Sequence, residues 1–229
     1  MSGTVGPRPE SIFNRFSFDF DGTDDYVAIS ANSNLQISDT FTISHWVKFT
    51  STSQMYVSNF ANKYGTYVQN GYAYLVFRNL SNTQIGLQST STINDGNWHN
   101  ITAIKTTSTM AIYIDGILDA NNTNGATGIT STSSNAIGAL FNGAIRFLGN
   151  IDEVAVWNND QSANASAIGS TIPTDLSTYS PLSWWRMGDK ATYSNPGGVG
   201  NWTLTDQGSG GNDGTSNGMD ESNRVLDTP

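Results

Sequence analysis

Apolar and polar residues in this chain mostly alternate one for one, and a period of two is the signature of half-buried strands. Phe16, Phe18 and Phe20 alternate with Ser17, Asp19 and Asp21 before Gly22 breaks the run in a turn, and Tyr26 to Ile29 follows as a second strand. The clearest run is Phe41-Thr-Ile-Ser-His-Trp-Val-Lys-Phe49. It puts Phe41, Ile43, His45, Val47 and Phe49 on a predicted core face and Thr42, Ser44, Trp46 and Lys48 on the opposite one. Tyr72 to Arg78, Asn100 to Lys105, Met110 to Leu118 and Asn150 to Trp157 read the same way, and Asp115-Gly116 supplies a two-residue hairpin turn. Only Asp160 to Ile172 reads as helix, about three turns with Asp160 as N-cap and Pro173 as the stop. The pattern predicts an all-β sandwich of two antiparallel sheets with one short helix.

Composition narrows the function more than the fold. The 229 residues suit one large sandwich, and aromatic residues at 11% supply core volume in a chain only 37% hydrophobic. Ten basic residues against 19 acidic ones give a net charge of −9, which excludes a phosphate-backbone footprint and with it a nucleic-acid partner. There is no cysteine, so the fold rests on its core alone. The sequence has no signal-peptide pattern and no run near the roughly 20 apolar residues of a membrane span, so no membrane partner is expected.

The order of four stretches resembles the laminin-G-like jelly-roll family of the concanavalin A-like superfamily. They are Phe18 to Val27, Phe41 to Val47, Asp95 to Gly116 with its Trp98-His99-Asn100 core, and Gly149 to Trp157. The resemblance implies two curved sheets with neighbouring chain ends. It divides the chain into an extended arm over 1–15, a jelly-roll domain over 16–180, and a segment over 181–229 that completes the sandwich in cis or pairs in trans. That last segment, with Pro181-Leu-Ser-Trp-Trp-Arg-Met-Gly-Asp189, is similar to the stretch that opens other family members, and together with the sandwich it looks like virion proteins of marine bacteriophages. Trp184 and Trp185, one on each strand face, are the assembly candidates.

Related glucanases need paired glutamates for acid–base work. Here Glu10, Glu153 and Glu221 are the only three, none paired, so no catalytic residues are expected. Two histidines make a poor zinc set. Related domains often hold calcium, and Asp21, Asp25 and Asp152 are the candidates, though each also suits a turn or strand-start hydrogen bond. No cofactor is required by this reading. Sugar binding would use aromatic faces beside amides, and from the group Tyr56, Tyr64, Tyr67, Tyr72 and Tyr74 the candidates are Tyr64, Tyr67 and Tyr72, together with Trp46, which lies opposite the main apolar stripe of its strand. Two functions stay open. One is a non-catalytic virion structural protein, made in the host cytoplasm and displayed on a phage capsid or appendage beside other virion proteins or identical subunits. The other is a lectin-like module that binds a surface glycan, with or without calcium.

Overall fold

A computed structural model describes residues 13–195 and 200–229; most of the expected N-terminal arm lies outside them. The first sheet runs, edge to edge, through β10 (Ile117–Asn122), β9 (Met110–Ile114), β8 (Trp98–Lys105), β3 (Phe41–Lys48), β12 (Leu148–Trp157), β1 (Ser17–Asp21) and β17 (Arg224–Val225). The second runs through β14 (Ala191–Ser194), β15 (Asn201–Leu204), β16 (Gly214–Asn217), β2 (Tyr26–Ile29), β11 (Asn135–Ile137), β4 (Met55–Phe60), β5 (Tyr64–Gln69), β6 (Tyr72–Arg78) and β7 (Gln84–Thr92). The strand pairs are antiparallel. The fold is the two-sheet jelly-roll sandwich that the alternation predicts.

The alternating faces close on one core. Phe18 and Phe20 of β1, Ile43 and Val47 of β3, Val57 and Phe60 of β4, and Leu75 and Phe77 of β6 all meet between the sheets. Burying such side chains contributes roughly 1.5–3 kcal/mol each, which is how a cysteine-free chain of this size stays folded. His45 lies on the same face with no solvent exposure. Its Nε2 meets Thr66 Oγ1 at 2.7 Å, and Thr66 Oγ1 meets Ser58 Oγ at 2.9 Å, a polar thread through an apolar core.

The C-terminal segment supplies strands to both sheets of its own chain. An eighth strand joins the first sheet beside β12: β13 (Ser183–Trp185) pairs with Val154–Val156 where β1, paired with Leu148–Ile151, runs out. β14, β15 and β16 extend the second sheet from β2, while β17 flanks β1. Trp185 enters the main core, where it stacks on Phe60. Trp184 faces the other way, into a satellite cluster with Trp157, Ile168 and Leu176. With 4% and 0% of Trp184 and Trp185 exposed, neither indole offers a face to a second subunit, so the assembly role expected of them is corrected to internal closure.

The helix is also shorter than its sequence suggests. It is one turn, α1 (Ala165–Ile168), preceded by Asn164 rather than Asp160, whose Oδ1 accepts instead from Ser162 N in a turn. Gly169 and the Ser-Thr pair after it have weak helix propensity and end it there.

Candidate functional site

Cross-strand register on the second sheet decides which of the aromatic side chains reach solvent. Met55, Val57, Val68 and Leu75 point into the core, so their neighbours Tyr56, Tyr67, Tyr74 and Val76 point to the outer face. The pairings Tyr56↔Tyr67 and Tyr67↔Tyr74 set three tyrosines in a row across β4, β5 and β6. Tyr67 and Tyr74 stack with centroids 4.5 Å apart at 7°, and Tyr56 meets Tyr67 at 5.5 Å and 45°. Such contacts add about 0.5–1.5 kcal/mol per pair beyond burial and hold the rings as a fixed platform. Burial pushes the Tyr67 hydroxyl up to about 12, with Tyr74 and Tyr56 adding to the effect, so the central ring stays uncharged at neutral pH.

The next row runs Asn59↔Gly65, Gly65↔Val76, Val76↔Gly86. Gly65 in this row has no substitute, because a Cβ there would lie 2.2 Å from the Ser58 carbonyl oxygen. One row further, Arg78 pairs with Gln84, and Arg78 N donates to Lys63 O. The resulting cavity, about 100 Å³, is lined by Tyr56, Asn59, Lys63, Val76, Arg78 and Gln84 among others. Asn59 is 4% exposed, and its Oδ1 is buried without a hydrogen-bond partner.

Of the residues singled out from the sequence for sugar binding, Tyr67 lies at the centre of this row and Tyr72, half-buried, sits on the same face of β6, paired with Gln69. Two others are corrected. Tyr64 borders the hollow, but its ring is part of the core, 2% exposed, with its hydroxyl donating to Leu35 O, so it offers no open face to a sugar. Trp46 is 4% exposed on the first sheet, which is buried on both faces there. Asn59, Lys63, Arg78 and Gln84 escape sequence reading, since only register brings them to the tyrosines.

The acidic candidates separate into two places. Asp21 and Asp25 join Asp24 in the turn between β1 and β2, with one oxygen from each within 4.8 Å of the others. Asp21 Oδ1 accepts from Thr23 N and Asp24 N, and Asp25 Oδ2 from Asp21 N and Asn223 Nδ2. Each carboxylate keeps an oxygen outside those bonds. Burial pushes Asp25 up to about 6, and the charges of Asp21 and Asp24 add to it, as in a carboxylate group lacking a positive partner. The trio therefore fits a hard divalent cation held by Asp21, Asp24 and Asp25, which would neutralise the turn.

Asp152 does not belong to that trio. It is fully buried beside Glu153, its oxygens accepting from Asn14 Nδ2 and Glu153 N. A bulge in β12 between Asp152 and Ala155 gives Glu153 a φ of 47° and turns its side chain toward the C-terminal segment. There Glu153 accepts from Trp184 Nε1 at 2.5 Å and Arg186 Nε at 3.0 Å. At 2% exposure it is a buried anchor with no access for a substrate.

A family sequence profile of the laminin-G type, described as the concanavalin A-like lectin/glucanases superfamily, matches residues 21–165. No curated protein sequence matches the chain. Among solved structures, a candidate carbohydrate-binding protein of Bacteroides ovatus superposes with a TM-score of 0.70 at 15% identity, covering 95% of this chain; the chain spans 60% of that protein's length. The CBM40 domain of the Ruminococcus gnavus IT-sialidase gives 0.56 at 15% identity over 68% of this chain and 97% of its own. Botulinum neurotoxin type C, from a study of its interaction with two ganglioside molecules, gives 0.53 at 14% identity over 71% of this chain and 44% of its own. With the profile covering more than half of the chain, the chain belongs to the concanavalin A-like lectin/glucanases superfamily.

Proposed function

We propose that this chain is a non-catalytic carbohydrate-binding module that takes a glycan on the outer face of its second sheet. The observation that carries the reading is the row Tyr56, Tyr67 and Tyr74 beside a hollow lined by Asn59, whose buried amide oxygen has no partner. Sugar rings present apolar C–H faces and a rim of hydroxyls, and that chemistry is met by aromatic rings next to amide groups. Three structural neighbours, the candidate carbohydrate-binding protein, the ganglioside-interacting neurotoxin and the CBM40 domain, agree with it. Glu153 engaged by Arg186 and Trp184 leaves no free glutamate pair among the described residues, which supports binding without hydrolysis. Calcium at Asp21, Asp24 and Asp25 would brace the β1–β2 turn and is proposed as an accessory, not a requirement.

The test is a glycan array followed by calorimetry with wild type and Tyr74→Ala, a half-buried position whose loss leaves the core intact. Binding should weaken at least tenfold, about 1.4 kcal/mol. Equal affinity in the variant would move the site elsewhere. Display on a virion, beside other virion proteins or identical subunits, is proposed only from the likeness of the Pro181–Asp189 run. Because that run closes the sandwich, attachment would have to use other surfaces, and proteomics of purified particles would settle it.

A further inference from the structure

Acidic residues are not spread evenly along this chain. Of 19, none falls between Asp39 and Asp95, whereas Lys48, Lys63 and Arg78 do. That stretch builds β4 to β7, so one half of the second sheet is free of carboxylates in a protein of net charge −9. Beyond a Debye length of about 8 Å at physiological salt the remaining charge is largely screened, and local groups decide what an anion meets at the outer face.

Lys63 and Arg78 line the hollow together, and no acidic residue lines it with them. Both lean on one turn: Lys63 Nζ donates to Asn82 Oδ1 at 3.2 Å and Arg78 Nη1 to Asn82 O at 3.1 Å. Neither forms an ion pair; among the described residues the Lys and Arg pairs with carboxylates are Lys48–Asp227 and Arg186–Glu153. Arg78 keeps Nε and Nη2 uncommitted, the donors that a planar or tetrahedral oxyanion takes two at a time. Beside them Asn59 Oδ1 is a buried acceptor without a donor, a state costing about 1–3 kcal/mol that a ligand hydroxyl would relieve. The cavity, about 100 Å³, adjoins Tyr56, so a charged substituent held in it would lie beside the tyrosine row.

We infer that the hollow takes the carboxylate or sulfate of an acidic sugar, the anion between Lys63 and Arg78, a hydroxyl on Asn59 Oδ1, and the ring against the tyrosine row. The inference rests on the glycan-binding reading and adds the class of glycan. A neutral sugar would leave both cations without a counter-charge, and a free inorganic anion would leave the tyrosine row unused.

The experiment uses the full chain on an array of neutral, uronate-bearing, sialylated and sulfated oligosaccharides, then calorimetry of the best acidic and best neutral binders at 50 and 300 mM NaCl. Acidic glycans should bind at least tenfold tighter than neutral ones, with affinity falling as salt rises. Lys63→Gln and Arg78→Gln should each lose fivefold or more toward the acidic ligand, lose a clearly smaller factor toward the neutral one, and melt like wild type, since both side chains are partly exposed. Whether carboxylated or sulfated arms respond identifies the anion. Equal binding of neutral and acidic glycans, or glutamine variants that bind the acidic ligand as wild type does, would overturn the charge inference. If Tyr74→Ala still weakens binding in that case, the glycan reading survives. No binding to any class would overturn both.

Discussion

Replacing Arg186 by Met isolates the electrostatics of the buried joint between β12 and the C-terminal segment. Asp152 and Glu153 are 0% and 2% exposed, and Arg186 Nε, 3.0 Å from Glu153, is the one cation among the described residues paired with this buried acidic couple, through Glu153. Removing one partner of such a pair costs about 3–5 kcal/mol because the other charge stays buried. Burial already pushes Glu153 from 4.5 up to about 7 despite Arg186, and pushes Asp152 well up, with the Glu153 charge adding to it. The folded state thus holds protons that the unfolded chain sheds between about pH 4.5 and 7, and these acids make stability fall as pH rises through that window. Without the guanidinium the window widens upward, so the variant's deficit should grow with pH by up to about 1.4 kcal/mol per unit. Urea unfolding followed by tryptophan fluorescence should give a loss of about 3–5 kcal/mol at pH 8 and less than half of that at pH 5. Adding Glu153→Gln should recover much of the loss at pH 8. An equal deficit at both pH values would mean that Arg186 acts through packing over Trp184, and a loss below about 1 kcal/mol would refute the buried-charge argument altogether.

Trp185→Ala should cost about 3–5 kcal/mol in the same assay, since the ring is fully buried against Phe60 and its Nε1 donates to Asn212 O. The two histidines should behave oppositely in NMR titration. Burial pushes His45 down to about 3, so its ring stays neutral as pH drops and stability is lost from about pH 6.5 toward 3, whereas the hydrogen bond to Asp115 raises His99, whose contribution is lost as pH rises through its folded value. A His45 ring that titrates above pH 5 would contradict its place in the core. Calcium should stabilise by less than the roughly 2.7 kcal/mol of a ligand at a hundred times its Kd, and Asp25→Asn should abolish that gain; collapse of the melting transition in EDTA would make the ion structural instead.

The sandwich was legible wherever one face is apolar and the other polar, as in β1, β3 and β12. It was obscure where that contrast fades. β7, Gln84–Thr92, is largely polar as an edge strand, β5 carries tyrosines on both faces, and β11 is three residues long. The same limit applies to the site. Clustered tyrosines marked the region, but which rings face out depends on a bulge between Tyr56 and Ser58 and on partners across three strands. Asn59, Lys63 and Arg78 are ordinary surface letters until register sets them in adjacent rows. Trp46 and Tyr64 misled because a large aromatic reads the same in sequence whether it lines a cleft or fills a core.

The way β2 is completed sets a schedule for synthesis. Its Tyr26–Ile29 edge pairs with Gly214–Asn217, so the main-chain groups on that side wait for a partner nearly 190 residues downstream. At roughly 5–20 residues per second a ribosome needs about 10–40 s to deliver it. The upper part of β12 waits likewise for Ser183–Trp185. Through that interval the edge of β2 and the apolar seat of Trp202 are open to other chains, and for the much shorter delay before Ser183–Trp185 emerges so are the edge of β12 and the seat of Trp185. Closure late in the chain therefore makes the nascent protein, rather than the finished sandwich, the form most dependent on chaperones, and slow, highly non-local folding is the expected rhythm of its assembly.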